Sequence, residues 1–331
     1  MRAWRRRSAL GLVGCAVCAL CALAMPVLAQ GPSARPVRAV EAAPGVWFVE
    51  GGAALGSSAN RNFISNAGFV VTSDGVVVVD ALGSPALATE LLAEIRKVTP
   101  LPVRYVILTH YHADHLYGLQ VLKAAGATVI AHAAAREYLN SDAAQRRLEA
   151  SRDELRPWID ASTRLVPADR WIEGDADLRV GGTEIRIRHV GPAHTPEDIV
   201  VFVRGAGALF TGDLVFRGRI PYVGQADSGK WIASLERVLE LNAGVMLPGH
   251  GPASNEPRQD IELTRDYLRF LREAMREAAV NLEPFDAAYA RTDWSRFEGL
   301  PLFRAANRMN AYNTYLLLQG QADDALAKPP R

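Results

Sequence analysis

Short apolar runs recur along the chain, and amphipathic or polar segments separate them. Residues 62–81 contain two runs rich in β-branched residues that flank the turn signal TSDG, which predicts a hairpin. Other apolar runs predict strands at 46–50, 103–109 and 128–131. Residues 83–98 have leucine and isoleucine at helical spacing, with Ser84 as the N-cap. Strands that alternate with helices predict an α/β fold with buried strands.

The second half of the chain repeats this order. Residues 132–165 are charge-rich and predicted to be helical, and four apolar runs between 177 and 212 predict further strands. An amphipathic helix is expected at 228–241 and a last strand at 244–250. From about residue 255 to 319 the pattern is helical again.

The N-terminal segment has the layout of a bacterial secretory signal. A basic start with four arginines precedes an apolar run and an exit of small residues, and cleavage is expected after Ala29. The sequence therefore predicts a periplasmic or secreted protein, without membrane association once residues 1–29 are removed. An uncleaved membrane anchor is the alternative, because 18 apolar residues can just span a bilayer.

Composition divides the remaining chain into four predicted parts. A linker rich in proline, alanine and glycine is expected at 30–44, and the main domain at 45–252. A helical extension at 253–320 and a flexible tail at 321–331 follow. The apolar stripes of the extension are expected to form core or homodimer contacts.

Charge and cysteine content exclude two classes of function. The mature chain keeps 33 of the 37 basic residues against all 36 acidic ones, a net charge of −3. Nucleic acid is therefore not an expected partner, since its recognition requires a basic face. All three cysteines (Cys15, Cys18 and Cys21) lie in the signal segment, so the mature chain has no thiolate to act as nucleophile or metal ligand.

Three of the seven histidines lie in the stretch LTHYHADHLYG, at the end of a predicted strand. In extended chain, residues i and i+2 point the same way, so His110 and His112 can reach one ion together. Asp114 and His115 lie where the next helix begins and face a neighbouring point. Imidazole suits zinc, iron, copper or nickel, and the carboxylate adds charge compensation. The stretch therefore predicts a metal site.

Three later residues follow the same rule. His194 in GPAHTPED, Asp213 in FTGD and His250 in PGHG each come at the end of an apolar strand, beside glycine or proline. Strand ends of an α/β sheet are where such folds bind ligands. Five histidines and two aspartates are enough for two ions that share one bridging carboxylate.

The motifs THYHADH, GPAHT, FTGD and PGHG, in this order, resemble those of the metallo-β-lactamase superfamily, over about residues 45–252. The resemblance implies an αββα sandwich, in which helices cover two packed sheets. It implies that His110, His112 and His194 hold one ion, that Asp114, His115 and His250 hold a second, and that Asp213 bridges the two. Asp80, at the end of VVVVD, would orient the site without binding metal.

The implied cofactor is two Zn²⁺ per chain, with iron or manganese as alternatives. A hydroxide bridging the two ions would attack an acyl carbonyl of a small-molecule ester, thioester or lactam. Asp114 would orient this hydroxide or transfer a proton. Within the superfamily, the chain resembles exported quinoprotein-relay metallohydrolases. An aspartate at the position of Asp213 is shared with enzymes of the glyoxalase II type, whereas class B β-lactamases typically have cysteine or serine there.

Three rival functions stay open from sequence. They are a class B-like β-lactamase activity, an iron-dependent activity similar to sulfur dioxygenases, and a non-catalytic metal-binding accessory of a periplasmic relay. Phe63, Tyr111, Arg219 and Tyr222 are candidate pocket residues on position alone. The glycine-rich loop 50–62 is either a substrate flap or an ordinary surface loop. His132 and His189 are expected to be structural.

Overall fold

A computed structural model describes residues 35–327, and the predicted signal segment 1–29 lies outside them. A first sheet has seven strands in chain order. Its strands are β1 (Ala39–Ala43), β2 (Val46–Val49), β3 (Ala67–Thr72), β4 (Gly75–Val79), β5 (Val103–Ile107), β6 (Thr128–His132) and β7 (Arg170–Ile172). Strands β1 to β4 pair antiparallel, and β4 to β7 pair parallel. The predicted hairpin is confirmed as β3 and β4, closed by the turn between Thr72 and Gly75.

The second sheet has five strands in the order β12-β11-β10-β9-β8. They are β8 (Ala176–Val180), β9 (Thr183–His189), β10 (Ile199–Val203), β11 (Ala208–Phe216) and β12 (Val245–His250). Only β11 and β12 pair parallel, so the ends of these two strands meet at one edge. That edge carries two of the seven candidate ligands, Asp213 and His250.

Helices cover the outer face of each sheet. They are α1 (Pro85–Val98), α2 (Ala113–Leu116), α3 (Leu119–Ala124), α4 (Ala135–Leu139), α5 (Asp142–Glu154), α6 (Ser228–Leu239), α7 (Pro257–Val280), α8 (Phe285–Arg291) and α9 (Phe303–Ala327). Helix α1 begins as predicted, with the Ser84 hydroxyl accepting from the Leu87 amide and Pro85 in the first turn.

Three apolar clusters define four layers. One lies between the two sheets, with Val77 and Ile107 from the first sheet against Ile187 and Val201 from the second. A second cluster joins the first sheet to helices such as α1, and a third joins the second sheet to α6, α7 and α9. The predicted αββα sandwich with a helical extension is confirmed.

The structure differs from the sequence prediction in three segments. Residues 39–43 were expected in a linker but form β1, since backbone pairing with β2 outweighs a proline- and alanine-rich composition. Helix α5 ends at Glu154, so residues 155–165 are not helical, although the sequence predicts helix up to residue 165. Helix α9 continues to Ala327, into the segment predicted as a flexible tail. Among residues 35–327, no helix combines the length and apolar character that crossing a bilayer requires.

Candidate metal centre

The seven predicted ligands come together where the two sheets meet. His110 and His112 lie in the loop after β5, and Asp114 and His115 lie in α2. The second sheet contributes the remaining three: His194 follows β9, Asp213 lies within β11, and His250 ends β12.

The ligand atoms form two adjoining groups. The first comprises His110, His112, His194 and Asp213, and the second comprises Asp114, His115 and His250; within each group the atoms lie within 4.8 Å of one another. Asp213 lies between the groups. Its Oδ1 is 3.1 Å from His115 Nε2, and its Oδ2 is 3.2 Å from His250 Nε2 and 3.4 Å from His194 Nε2. A carboxylate in this position can serve both groups.

Hydrogen bonds fix which ring nitrogen of each histidine is free. The Nδ1 of His115 is 2.9 Å from Asp80 Oδ2, and the Nδ1 of His250 is 2.7 Å from the Ile64 carbonyl. Both oxygens can only accept, so each Nδ1 carries a proton and Nε2 is the nitrogen left to face a metal ion. The Nδ1 of His110 lies 3.0 Å from the Thr109 hydroxyl, which itself donates to Asp80.

The freed atoms are buried and without hydrogen-bond partners. Within residues 35–327, this applies to Nε2 of His110, and to Nε2 of His115 and Oδ1 of Asp213, which lie 3.1 Å apart without forming a hydrogen bond. Buried polar atoms without partners are costly, and a cation would satisfy them. The donor set of imidazole and carboxylate fits zinc without a thiolate.

In the first group, the histidines are neutral. Burial lowers the pKa of His194 to about 3, and burial lowers the pKa of His110 and His112 as well. Neutral imidazole is the form that ligates metal, so this group needs no proton loss before binding.

In the second group, the side chains carry opposite charges. Burial would lower the pKa of His115 and His250, but the Asp213 carboxylate raises both above their ordinary value. Burial would raise the pKa of Asp213 and of Asp114, but the neighbouring histidines hold both below the ordinary range. A cation bound by this group would replace the protons that these ion pairs hold.

Two glycines permit close packing around Asp213. Gly212 has φ of +50°, and a Cβ there would lie 2.7 Å from the Thr109 hydroxyl. A Cβ on Gly249 would lie 2.1 Å from Asp213 Oδ1. The glycine in FTGD thus permits the close approach of the two halves at the site, and the glycine in PGHG leaves room for the Asp213 carboxylate.

Two cavities open beside the cluster, and His112, Tyr138 and Tyr222 line both. One, of about 520 Å³, reaches Asp114, Asp213 and His250. The other, of about 490 Å³, extends from His194 towards Glu197 and Lys230. The cluster is therefore accessible to a small molecule from two sides.

The four candidate pocket residues have different locations. Tyr222 is exposed and lines both cavities, and Arg219 lines the larger one. Tyr111 is 1% exposed, lines the smaller cavity and donates its hydroxyl to the Val166 carbonyl. Phe63 lies in the core, 3% exposed, and lines neither cavity. The position of Phe63 beside a predicted strand does not show from sequence alone whether its side chain packs into the core or faces a cavity.

Sequence reasoning missed two wall residues. Tyr138 in α4 lines both cavities, although α4 is far from any ligand motif in the chain. Glu197 is 4% exposed, and its Oε1 accepts from the Tyr111 amide at 3.1 Å, which ties the GPAHTPED loop to the loop that bears His110 and His112. Because Glu197 lies in the same motif as the predicted ligand His194, the sequence could have indicated that it is near the site.

Loop 50–62 contributes Ala54 and Leu55 to the larger cavity, so it flanks the site. His132 and His189 lie outside the ligand groups. Their rings stack on each other with centroids 3.6 Å apart, and His132 is buried, which suits a structural role.

Comparison with known proteins identifies the family. Residues 60–250 match the family model described as the metallo-beta-lactamase superfamily. A linear primary-alkylsulfatase from a Pseudomonas species is 24% identical over 235 residues, which cover 60% of this chain but only 44% of that protein's length. A type 2 metallo-beta-lactamase from a Bacillus species is 29% identical over 203 residues, 60% of this chain and 71% of that protein.

A solved structure extends the likeness beyond that region. The stereoselective inverting sec-alkylsulfatase Pisa1 from Pseudomonas sp. matches with a TM-score of 0.65 at 18% identity, over 89% of this chain and 52% of the other. A match over 89% of this chain must include part of the C-terminal helices. Part of the helical extension therefore belongs to the common fold. The chain is a member of the metallo-β-lactamase superfamily.

Proposed function

We propose that the protein is a dinuclear zinc hydrolase that cleaves an ester, thioester or lactam. The observation that carries the proposal is the convergence of seven imidazole and carboxylate side chains, three of which have a candidate ligand atom that is buried without a hydrogen bond. The chain belongs to a superfamily of metal-dependent hydrolases, and its relatives include a metallo-beta-lactamase.

Two cations bound at this cluster would supply Lewis acidity, which polarises a carbonyl and makes a water molecule a better nucleophile at neutral pH. The protein's own groups provide the positioning. His110, His115 and His250 are oriented by hydrogen bonds at Nδ1. Preorientation of this kind reduces the reorganisation needed during the reaction.

Asp114 is the candidate for orienting the attacking water. Its Oδ2 is 3.3 Å from His250 Nε2, and the carboxylate lines the larger cavity, where a substrate can reach it. Burial would raise its pKa, but the neighbouring histidines lower it, so the carboxylate is ionised and can accept a hydrogen bond from the water.

Hydrolysis of a sulfate ester is a second candidate function. The curated alkylsulfatase supports it, and so does the alkylsulfatase fold, which matches across the C-terminal helices. The two candidates differ in the bond that breaks, which is a bond to an acyl carbon in one and a bond of the sulfate ester in the other, and they need different substrates.

A substrate panel tests both candidates. Protein expressed from residue 30 onward and loaded with zinc would be assayed on 4-nitrophenyl esters, an acylglutathione, a chromogenic cephalosporin, and both aryl and alkyl sulfates. His112→Ala should reduce any true activity to background, because it removes one ligand. Retained activity in this variant would refute the site.

Metal analysis separates the rival functions. Two zinc ions per chain in protein isolated from its natural compartment support the hydrolase. One iron per chain with oxygen uptake would instead support a dioxygenase-like enzyme. No turnover on the full panel would favour the accessory role.

We further propose that the protein is exported, on the basis of residues 1–29. N-terminal sequencing of the mature protein would test this.

A further inference from the structure

Helix α9 has apolar side chains on two opposite faces. Its inner face belongs to the apolar cluster of the second sheet, where Ala311 and Leu318 are buried. On the outer face, Met309, Tyr312 and Leu316 are 39%, 44% and 45% exposed. A helix that is apolar on both faces is expected to be covered on both. Within residues 35–324, only the inner face is covered.

The outer side chains form one stripe along the helix axis. Side chains three or four residues apart share a face of an α-helix, and the exposed positions of α9 follow that spacing for five turns. At 1.5 Å per residue, the stripe is about 28 Å long. Its members are Arg304, Ala305, Arg308, Met309, Tyr312, Leu316, Gly320 and Asp323, and all of them are exposed.

The turn after α7 adds two exposed apolar side chains beside the middle of this α9 stripe. Val280 and Leu282 are 57% and 70% exposed. The Tyr315 hydroxyl donates to the Glu283 carbonyl at 2.6 Å, so this turn passes α9 level with the apolar part of the stripe. Apolar side chains that are grouped on a surface, rather than scattered, mark an interaction site.

The two ends of the α9 stripe carry opposite charges. Arg304 and Arg308 lie at the N-terminal end, and Asp323 lies at the C-terminal end. Arg308 pairs with Asp286 in α8, whereas neither Arg304 nor Asp323 forms an ion pair with another described residue. The stripe therefore runs from positive through apolar to negative, and a partner with the reverse order would match it.

A second copy of α9, laid antiparallel on the first, has that reverse order. If the two-fold axis passes between Tyr312 and Leu316, each of them lies opposite the other residue of the second copy. Asp323 is seven residues after Leu316, and Ala305 is seven residues before Tyr312. Asp323 therefore lies opposite Ala305 of the second copy, beside Arg304. A parallel arrangement would instead bring like charges together at both ends.

We propose that the protein forms a two-fold homodimer in which the α9 stripes of two copies pack antiparallel. The same surface serves both copies, as a two-fold interface requires. The inner face of α9 stays free to hold the cavity wall, where Asn310 donates to the Pro221 carbonyl and Asn313 donates to the Gly224 carbonyl. The inference does not depend on which reaction the protein catalyses.

Sedimentation equilibrium over a concentration series tests the dimer. Protein expressed from residue 30 onward should have the mass of two chains. Leu316→Glu places a carboxylate from each copy beside the two-fold axis, and we expect the dimer Kd to rise at least about tenfold. Leu263→Glu is the same change at an exposed leucine of α7, off the α9 stripe, and should keep the dimer. An unchanged Kd in Leu316→Glu would overturn the proposal. So would a monomer at every concentration, which would leave the stripe to a partner of another kind.

Charge reversal tests the antiparallel arrangement. Arg304→Glu places two acids at each end of the interface, and Asp323→Arg places arginines together there, so each variant alone should have a dimer Kd about tenfold higher. Mixed in equal amounts, the two variants should form a heterodimer with nearly the unmodified Kd, because both ends then hold unlike charges. The two positions are about 28 Å apart within one chain, so recovery cannot arise inside a single copy. Recovery also shows that both variants fold, and its absence would overturn the arrangement.

Discussion

Asp80 influences the metal centre more than any other residue that is not itself a candidate ligand. Its Oδ1 accepts from the Thr109 amide at 2.8 Å, and its Oδ2 accepts from the Thr109 hydroxyl and from His115 Nδ1, both at 2.9 Å. One carboxylate thus orients His115 directly and His110 through Thr109. Asp80 also has φ of +61°, a conformation that aspartate and asparagine tolerate better than other side chains with a Cβ.

Asp80→Asn should therefore weaken metal binding without unfolding the protein. Asparagine accepts the same backbone conformation and has a similar size, but it loses the charge that makes the His115 ring a stronger ligand. We expect zinc affinity to fall about 10- to 100-fold, measured by competition with a chromophoric chelator. Asp74→Asn, in the turn at the other end of the same hairpin, should bind zinc as the unmodified protein does. Equal affinity in both variants would show that Asp80 has no part in binding.

Metal binding should release protons from the second ligand group. Burial lowers the pKa of His115 and His250, but the nearby carboxylates outweigh it and raise both, so these rings hold protons more firmly in the metal-free protein than a free imidazole does. A cation must displace these protons, so zinc affinity should rise with pH until the raised pKa values are passed. Calorimetric zinc titrations in two buffers of different ionisation enthalpy should report net proton release at pH 7. Identical heats in both buffers would contradict the assignment.

At the scale of secondary structure, the sequence predicts strand ends better than cavity walls. His110, His194 and His250 could be found because a polar residue at the end of an apolar run is a local signal. Tyr138 could not, because its place at the site depends on how α4 packs over the first sheet. Strand β1 was missed for a similar reason, since its pairing with β2 is a tertiary property.

Helix α9 links the C-terminal extension to the cavity wall through Asn310. Its Oδ1 accepts from the Val223 amide at 3.0 Å, and its Nδ2 donates to the Pro221 carbonyl and to the Tyr267 hydroxyl. These bonds hold the segment that carries Arg219 and Tyr222. The predicted extension thus supports a wall of the two cavities as well as the fold.

Asn310→Leu should loosen that segment, because a side chain of similar volume leaves buried polar groups without partners. We expect the free energy of unfolding to fall by about 2–4 kcal/mol, measured by denaturant titration. If the variant hydrolyses ester, KM should rise while zinc content stays at the unmodified level. Asn281→Leu, at the exposed C-terminal end of α7 with φ of −86°, serves as a control of small effect. A loss of zinc in Asn310→Leu would mean that α9 supports the ligands rather than the wall.

At the scale of the whole molecule, the candidate site joins the two sheets. Four ligands come from the loop and helix after β5, and three come from the second sheet. Direct links between the sheets are also present: the Asn66 amide donates to the Gly249 carbonyl at 2.8 Å, and the Ile199 amide donates to the Thr109 carbonyl at 3.1 Å. Cations bound here would add bonds between the halves, in the same place.

Metal removal should therefore destabilise the domain as a unit. A ligand that binds only the folded state stabilises it by about 4 kcal/mol when its free concentration is a thousand times Kd. For a domain of this size, we expect a chelator to lower Tm by about 10 °C in one cooperative transition. His112→Ala should lose most of this difference, since it lacks one ligand. If the chelator left Tm unchanged, or split the transition in two, the cluster would not act as a link between the sheets, because a shared cation must stabilise both halves together.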